Sequence, residues 1–292
     1  MAPPAAAVGP RDRVLPATKI LSAVIVPFLV AAYVLLYFWP GPDETARLFA
    51  WRIVPGFTSM VLGSVYLGGS YFFVRAIWAN QWHHVAGGFI PIGSFATLMG
   101  VATLLHWDRF VHTNLAFWLW AALYFTTPFL VFAVWWANRR ERVRPAEDDL
   151  RVSAGAARLI GAAGIAAVLT SAFLFLAPSA AIRIWPWTLT LLTARVMGAI
   201  FVLGGAGLGA FWDKRWSSAR ILFQVAGFMF VLIAVAGVRA RGDFDASKPL
   251  TWVFAAGFVA AVAGCAVLYV RMERQSHTMP GHTTPGHAMP AN

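Results

Sequence analysis

Long apolar runs alternate with short polar or charged breaks along this chain, and each run is about the length a helix needs to cross a hydrocarbon layer of roughly 30 Å. The pattern predicts eight spans: Ile20 to Trp39, Ile53 to Val74, Val85 to Leu105, Asn114 to Trp136, Leu159 to Leu176, Leu191 to Phe211, Ile221 to Val238 and Leu250 to Val270. The expected fold class is therefore all-α, a polytopic integral membrane protein of eight transmembrane helices. An even number of spans returns both termini to one side.

The pattern also reads as a duplication. Trp51, Trp78, Trp82 and Trp118 recur 134 residues later as Trp185, Trp212, Trp216 and Trp252, and Phe110 falls on Phe244. Two parallel four-helix units are expected, at 19–140 and 155–274, joined by a charged linker at 141–154. Four spans per unit make both copies enter from the same side, as parallel repeats do. Residues 1–18, rich in Ala and Pro, and the His/Met/Pro/Gly tail at 275–292 are expected to be disordered. Glycines in the second and sixth spans predict that these two helices face each other or a shared neighbour.

Composition agrees with a bilayer setting. Of 292 residues, 59% are hydrophobic and 12% charged, against roughly 25% charged in soluble domains. The net charge of +11 does not point to nucleic acid, because the basic residues form no single stripe. They gather in the breaks: Arg11, Arg13 and Lys19; Arg75; Arg139, Arg140, Arg142, Arg144 and Arg151; Lys214, Arg215 and Arg220; Arg271 and Arg274. If spans alternate, all of these share one face, which the positive-inside rule makes cytoplasmic. The expected location is a bacterial inner membrane with both termini inside, and the first partner is the lipid bilayer itself. The one cysteine, Cys265, allows no intrachain disulfide and no two-thiol redox carrier.

Candidate chemistry is sparse. Arg195 lies near the outer end of the sixth span, where an ionisable group is costly enough to suggest substrate binding. If Thr193 caps that helix, Arg195 falls in its first turn and reaches the outer interface toward Asp108 or Asp243. Gln224, a polar point at depth in the seventh span, is a second substrate-binding candidate. His106, Asp108 and His112 are metal-ligand types at short spacing, although on a continuous helix His106 and Asp108 would diverge by about 200°. His277, His282 and His287 in the tail, with Met279 and Met289, carry donors that suit copper, zinc or nickel. No cofactor is firmly implied beyond such a transition metal. Haem is not expected, because His83, His84 and His106 lie at the ends of one span and no mid-span histidine exists.

The sequence contains no phosphate-cradling glycine loop, no His-Glu-x-x-His helix, no nucleophile elbow and no carboxylate inside a span. The leading expectation is a non-enzymatic small-solute permease or transport-associated subunit, with its pathway between the two units. A scaffold or assembly subunit with a membrane-protein partner, or a homo-oligomer, is the alternative. A metal-dependent enzyme using the outer His/Asp segment is the third. The polar residues best suited to chemistry are those the two copies do not share, so any site is expected to be asymmetric.

Overall fold

A computed structural model describes residues 12–139 and 149–278. Among the described residues the chain is helical throughout, with three isolated β-bridges and no strands. Eight helices are long and apolar enough to cross a membrane, which is the architecture of a multi-pass membrane protein.

The order is α1 (Pro16–Phe38), a short α2 (Pro42–Leu48), α3 (Gly56–Trp78), α4 (His83–Leu105) and α5 (Leu115–Asn138), with a 3₁₀ turn at Trp107–Arg109 before α5. Then follow α6 (Ala154–Leu176), a short α7 (Pro178–Ile184), α8 (Leu191–Val202), a 3₁₀ turn at Leu203–Gly205, α9 (Ala206–Trp212), α10 (Trp216–Arg239), a 3₁₀ turn at Arg241–Asp243 and α11 (Pro249–Thr278). The two short helices were not read from the sequence. Each opens on a proline at its first position, Pro42 or Pro178, where the missing N–H costs nothing. The sixth span is one apolar stretch, Leu191–Trp212, but it tightens to 3₁₀ at Leu203–Gly205 and is two α-helices rather than one.

Boundaries follow local chemistry more than hydropathy. α6 starts at Ala154 because the Ser153 side chain accepts a hydrogen bond from the Ala156 N–H. α11 runs through Thr278, so residues 275 to 278 of the expected disordered tail are helical and His277 sits in the last helical turn. His282 and His287 lie outside the described residues, as do most of the expected N-terminal segment and of the charged linker.

Adjacent spans pair as antiparallel hairpins. α1 packs on α3, α4 on α5, α6 on α8 and α9, and α10 on α11. Between the halves, α3 packs on α10, α4 packs on α8, and α4 meets α10. The second and sixth spans meet lightly and share α4 as a neighbour, as one form of the expectation had it, but their glycines point elsewhere. Gly63 and Gly69 face α1 and Gly68 faces Met229 of α10, whereas Gly198, Gly204 and Gly207 all face α6. Small residues let each helix approach its hairpin partner or the opposite half.

Local details recur between the halves. Trp51 bridges Phe110, and Trp187 bridges Phe244. The Trp118 indole donates to the His112 carbonyl at 2.9 Å, and the Trp252 indole to the Ala246 carbonyl at 3.1 Å. The Val14 N–H donates to Asn80, and the Val152 N–H to Lys214. Of the four tryptophan pairs, Trp51 with Trp185 and Trp82 with Trp216 are buried, while Trp78 with Trp212 and Trp118 with Trp252 are exposed. Trp51 and Trp185 thus pack in aromatic clusters, Trp51 against Phe49, Phe110 and Trp120, and Trp185 against Trp187 and Phe201. In the bridges Trp51 corresponds to Trp187, two residues beyond the partner expected from spacing alone.

The α6–α9 contact is the tightest test of this packing. A Cβ on Gly207 would stand 2.7 Å from the Ile160 carbonyl oxygen, a backbone atom that cannot swing aside, whereas one on Gly209 would meet nothing within 4 Å. Gly207→Val should cost about 1–3 kcal/mol, the range for overpacked sites, and Gly209→Val much less. Thermal unfolding of the detergent-solubilised variants measures the difference; equal melting temperatures would contradict the packing.

Candidate functional site

Polar side chains concentrate at the two ends of the seam between the halves. At the end that holds both termini, Tyr71 and Arg75 are four residues apart on the last turns of α3 and so share a face. Gln224 of α10 lies opposite. Its Oε1 accepts hydrogen bonds from the Tyr71 hydroxyl at 3.0 Å and from Arg75 Nη1 at 3.1 Å, and its Nε2 donates to the Tyr269 hydroxyl of α11 at 2.9 Å. Arg75 Nη1 also donates to the Tyr71 hydroxyl at 3.1 Å. One amide thereby ties three helices from both halves, using its acceptor and its donor at once.

Beside this network an open recess of about 580 Å³ is lined by Arg75, Trp78, Ala79, Asn80, Gln81, His84 and Ile221. It joins the end of α3, the start of α4 and the first turns of α10. The described carboxylates at this end are engaged elsewhere. Asp12 bonds both the ring and the backbone N–H of His83, and Asp149 accepts from the Ser217 hydroxyl. Asp213 takes a bidentate pair of bonds from Arg215 at 2.8 Å each, and Glu273 accepts from Arg220 and from the Trp216 indole. Burial pushes the Asp213 carboxyl upward, but the Arg215 hydrogen bonds outweigh it and hold the group below the usual carboxylate range. Arg75, by contrast, is in no ion pair among the described residues.

At the opposite end, Arg195 Nε donates to the Phe175 carbonyl at 3.2 Å, and its Nη1 meets Nε2 of buried His106. Its partners are therefore not the expected Asp108 and Asp243. Asp108 pairs with neighbouring Arg109 in solvent, and Asp243 accepts the Phe57 N–H at 2.9 Å, stabilising the start of α3. The cap of α8 is Thr190 in a reciprocal capping box with Thr193. Arg195 is consequently one turn deeper than a Thr193 cap would have put it. Burial first, and then the charge of Arg195, lower the His106 pKa, so the imidazole is held neutral.

The sequence candidates therefore separate. Arg195 and Gln224 lie at opposite ends and cannot share one small ligand. His106 faces the guanidinium, Asp108 faces solvent, and His112 packs at a tilt against Trp107 and edge-on against Phe117. Among the described residues no three His, Cys, Asp or Glu side chains are grouped to hold a metal ion. Tyr71, Tyr269, Asp12 and Asp149 were not singled out from the sequence, and Arg75 counted only as a topological charge. The four-residue spacing of Tyr71 and Arg75 was a usable signal. Their pairing with a residue some 150 positions away was not.

Both polar clusters belong to a multi-pass membrane protein whose halves meet along one seam. No protein family, curated protein or solved structure matches the chain.

Two outcomes follow from this geometry. Gln224→Leu removes the shared partner of Tyr71, Arg75 and Tyr269 and should cost about 1 kcal/mol, with faster hydrogen exchange in α11; unchanged exchange there would count against the network. For His106, a lowered folded pKa means that its contribution is fully present above the ordinary value of 6.5 and is lost as pH falls through the folded value. Acidification from about pH 8 to about pH 5 should lower the melting temperature of the natural protein more than that of His106→Gln. Parallel melting curves would refute a buried neutral imidazole.

Proposed function

We propose that this protein is a small-solute permease or transport-associated subunit of a bacterial inner membrane, with its pathway along the seam between two duplicated four-helix units. The single observation that carries this reading is the recess beside Arg75, lined by residues of the first half between Arg75 and His84 and by Ile221 of the second. The duplication is supported by the recurring element order, the matched bridges, the matched indole bonds and the matched burial of four tryptophan pairs. On this reading the halves are related by an approximate two-fold axis along the membrane normal, passing between α4 and α10, and α3 on α10 is the counterpart of α8 on α4. Cations at the end holding the termini, among them Arg75, Arg139, Arg151, Lys214, Arg215, Arg220, Arg271 and Arg274, make that end cytoplasmic by the positive-inside rule. Arg75, Gln224 and the recess then face the cell interior, and Arg195 with His106 lies at the outer end.

A second reading, a subunit of a larger membrane assembly or of a homo-oligomer, draws on α11. No residue in the most apolar window of that helix is buried, and its one half-buried stripe faces α10.

Gly87 of α4 and Leu222 of α10 touch on the proposed axis, an added Cβ at Gly87 lying 3.1 Å from Leu222 Cδ1. With Cys265 replaced by Ala, a Gly87→Cys/Leu222→Cys pair should lock the seam on oxidation. In proteoliposomes, stopped-flow flux of a panel of small anionic and neutral solutes should exceed that of protein-free vesicles, fall on oxidation and return on reduction. Absence of any protein-dependent flux, together with a stoichiometric protein partner in mild-detergent purification, would replace the permease reading with the subunit reading.

A further inference from the structure

We propose that the recess beside Arg75 binds a phosphate group, carried either by a small solute or by an anionic lipid headgroup. This rests on the recess being a binding site and not on transport through it. Three features of the structure converge. First, Arg75 is half-buried and makes its hydrogen bonds through Nη1 alone, to the neutral Tyr71 hydroxyl and the neutral Gln224 amide. Its Nε and Nη2 hydrogens, the edge that pairs bidentately with phosphate oxygens, have no partner among the described residues. A guanidinium taken partly out of water, with only neutral partners and the face of the Tyr71 ring at 5.9 Å, has no counter-charge among the described residues, and an oxyanion supplies one.

Second, none of the described carboxylates at this end pairs with Arg75. Asp12 is held by His83, Asp149 by Ser217, Asp213 by Arg215, and Glu273 by Arg220 and Trp216. Third, the other walls suit an anion. His84 belongs to the opening turn of α4, the positive dipole end of a 23-residue helix, and Gln81 just precedes that helix; both line the recess. Asn80 adds a neutral amide. Trp78, on the rim, is largely exposed, as an indole at the depth of lipid headgroups is. The volume of about 580 Å³ exceeds that of a bare ion and leaves room for the group that bears the phosphate.

The test uses the full chain in nanodiscs of neutral phosphatidylcholine. Isothermal titration is performed with inorganic phosphate, with glycerol phosphate and with short-chain phosphatidylglycerol. The natural protein should give saturable binding to at least one probe. Arg75→Gln should weaken it tenfold or more and Arg75→Lys by less, while Arg271→Gln, an exposed arginine at the same end, should match the natural protein. Preference for the lipid probe assigns the phosphate to a headgroup; equal or tighter binding of glycerol phosphate assigns it to a solute. Thermal unfolding of each variant establishes that it is folded, and Arg75→Lys keeps the test valid if the glutamine variant is not. Binding without flux would overturn the permease reading and leave this site standing. No saturable binding to any probe, or equal binding by folded Arg75→Gln, would overturn the site, whatever flux is seen.

Discussion

A hydrocarbon layer offers no water to a stray hydrogen-bonding group, and nearly every polar choice in this protein answers that one constraint. Helices satisfy the backbone internally. Many hydroxyls inside the spans turn back on their own helix, Ser22 to the Thr18 carbonyl, Ser64 to Met60, Ser70 to Tyr66, Thr97 to Gly93, Thr103 to Met99 and Thr126 to Ala122, while Ser59 of α3 bonds the Leu36 carbonyl of α1. Some longer groups are matched with another segment, while the buried Trp51, Trp82 and Trp185 indole N–H groups have no partner among the described residues. Tyr66 meets Tyr124 in the core of the first half, and the Trp187 indole donates to Thr58 across the halves. Gln224 is the fullest case, since an amide needs both an acceptor and donors supplied from neighbouring helices.

The same rule locates the exceptions. Arg75 and Arg195 each have only neutral hydrogen-bond partners among the described residues, and each sits at an end of the bundle where a charge can be screened by water or headgroups. They occupy opposite ends, one at the contact of α3 with α10, the other at the contact of α8 with α4. On the proposed duplication these contacts are counterparts, yet neither arginine recurs. Arg75 falls 134 positions before Gly209, and Gln224 falls 134 after Ile90. Shared architecture and unshared chemistry are thus separated along the chain.

Much of the fold was legible in the sequence because membrane spans announce themselves by length and hydropathy, which are local properties. All eight long helices were placed, with ends displaced where capping decided the boundary, as at Ser153, or where α11 continued past Val270. The short α2 and α7 were invisible because seven residues carry no periodic signal. The break at Leu203–Gly205 was hidden by uniform apolarity. At the candidate site, Gln224 and Arg195 were legible as polar residues in apolar surroundings. Their partners were not, because Tyr71 with Gln224 and Arg195 with His106 are contacts between distant segments. The expected ion pairs of Arg195 with Asp108 or Asp243 failed for the same reason: membrane-side grouping does not decide which side chain points inward.

One feature of α11 bears on how the protein moves. Its stronger polar ties are near its ends, Thr251 to the Asp245 carbonyl at one and Tyr269 to Gln224 and Glu273 to Trp216 and Arg220 at the other, with a long thiol bond from Cys265 to the Phe223 carbonyl at 3.7 Å between them. Between them Gly257 and Gly264 face open space. Sliding the helix along its axis by one residue, about 1.5 Å, would strain all of those ties together. Bowing its middle sideways leaves the end ties intact and trades apolar contacts and the weak Cys265 thiol bond for lipid. The helix is a strut pinned at both ends, and the compliant direction of the molecule lies in the plane of the bilayer.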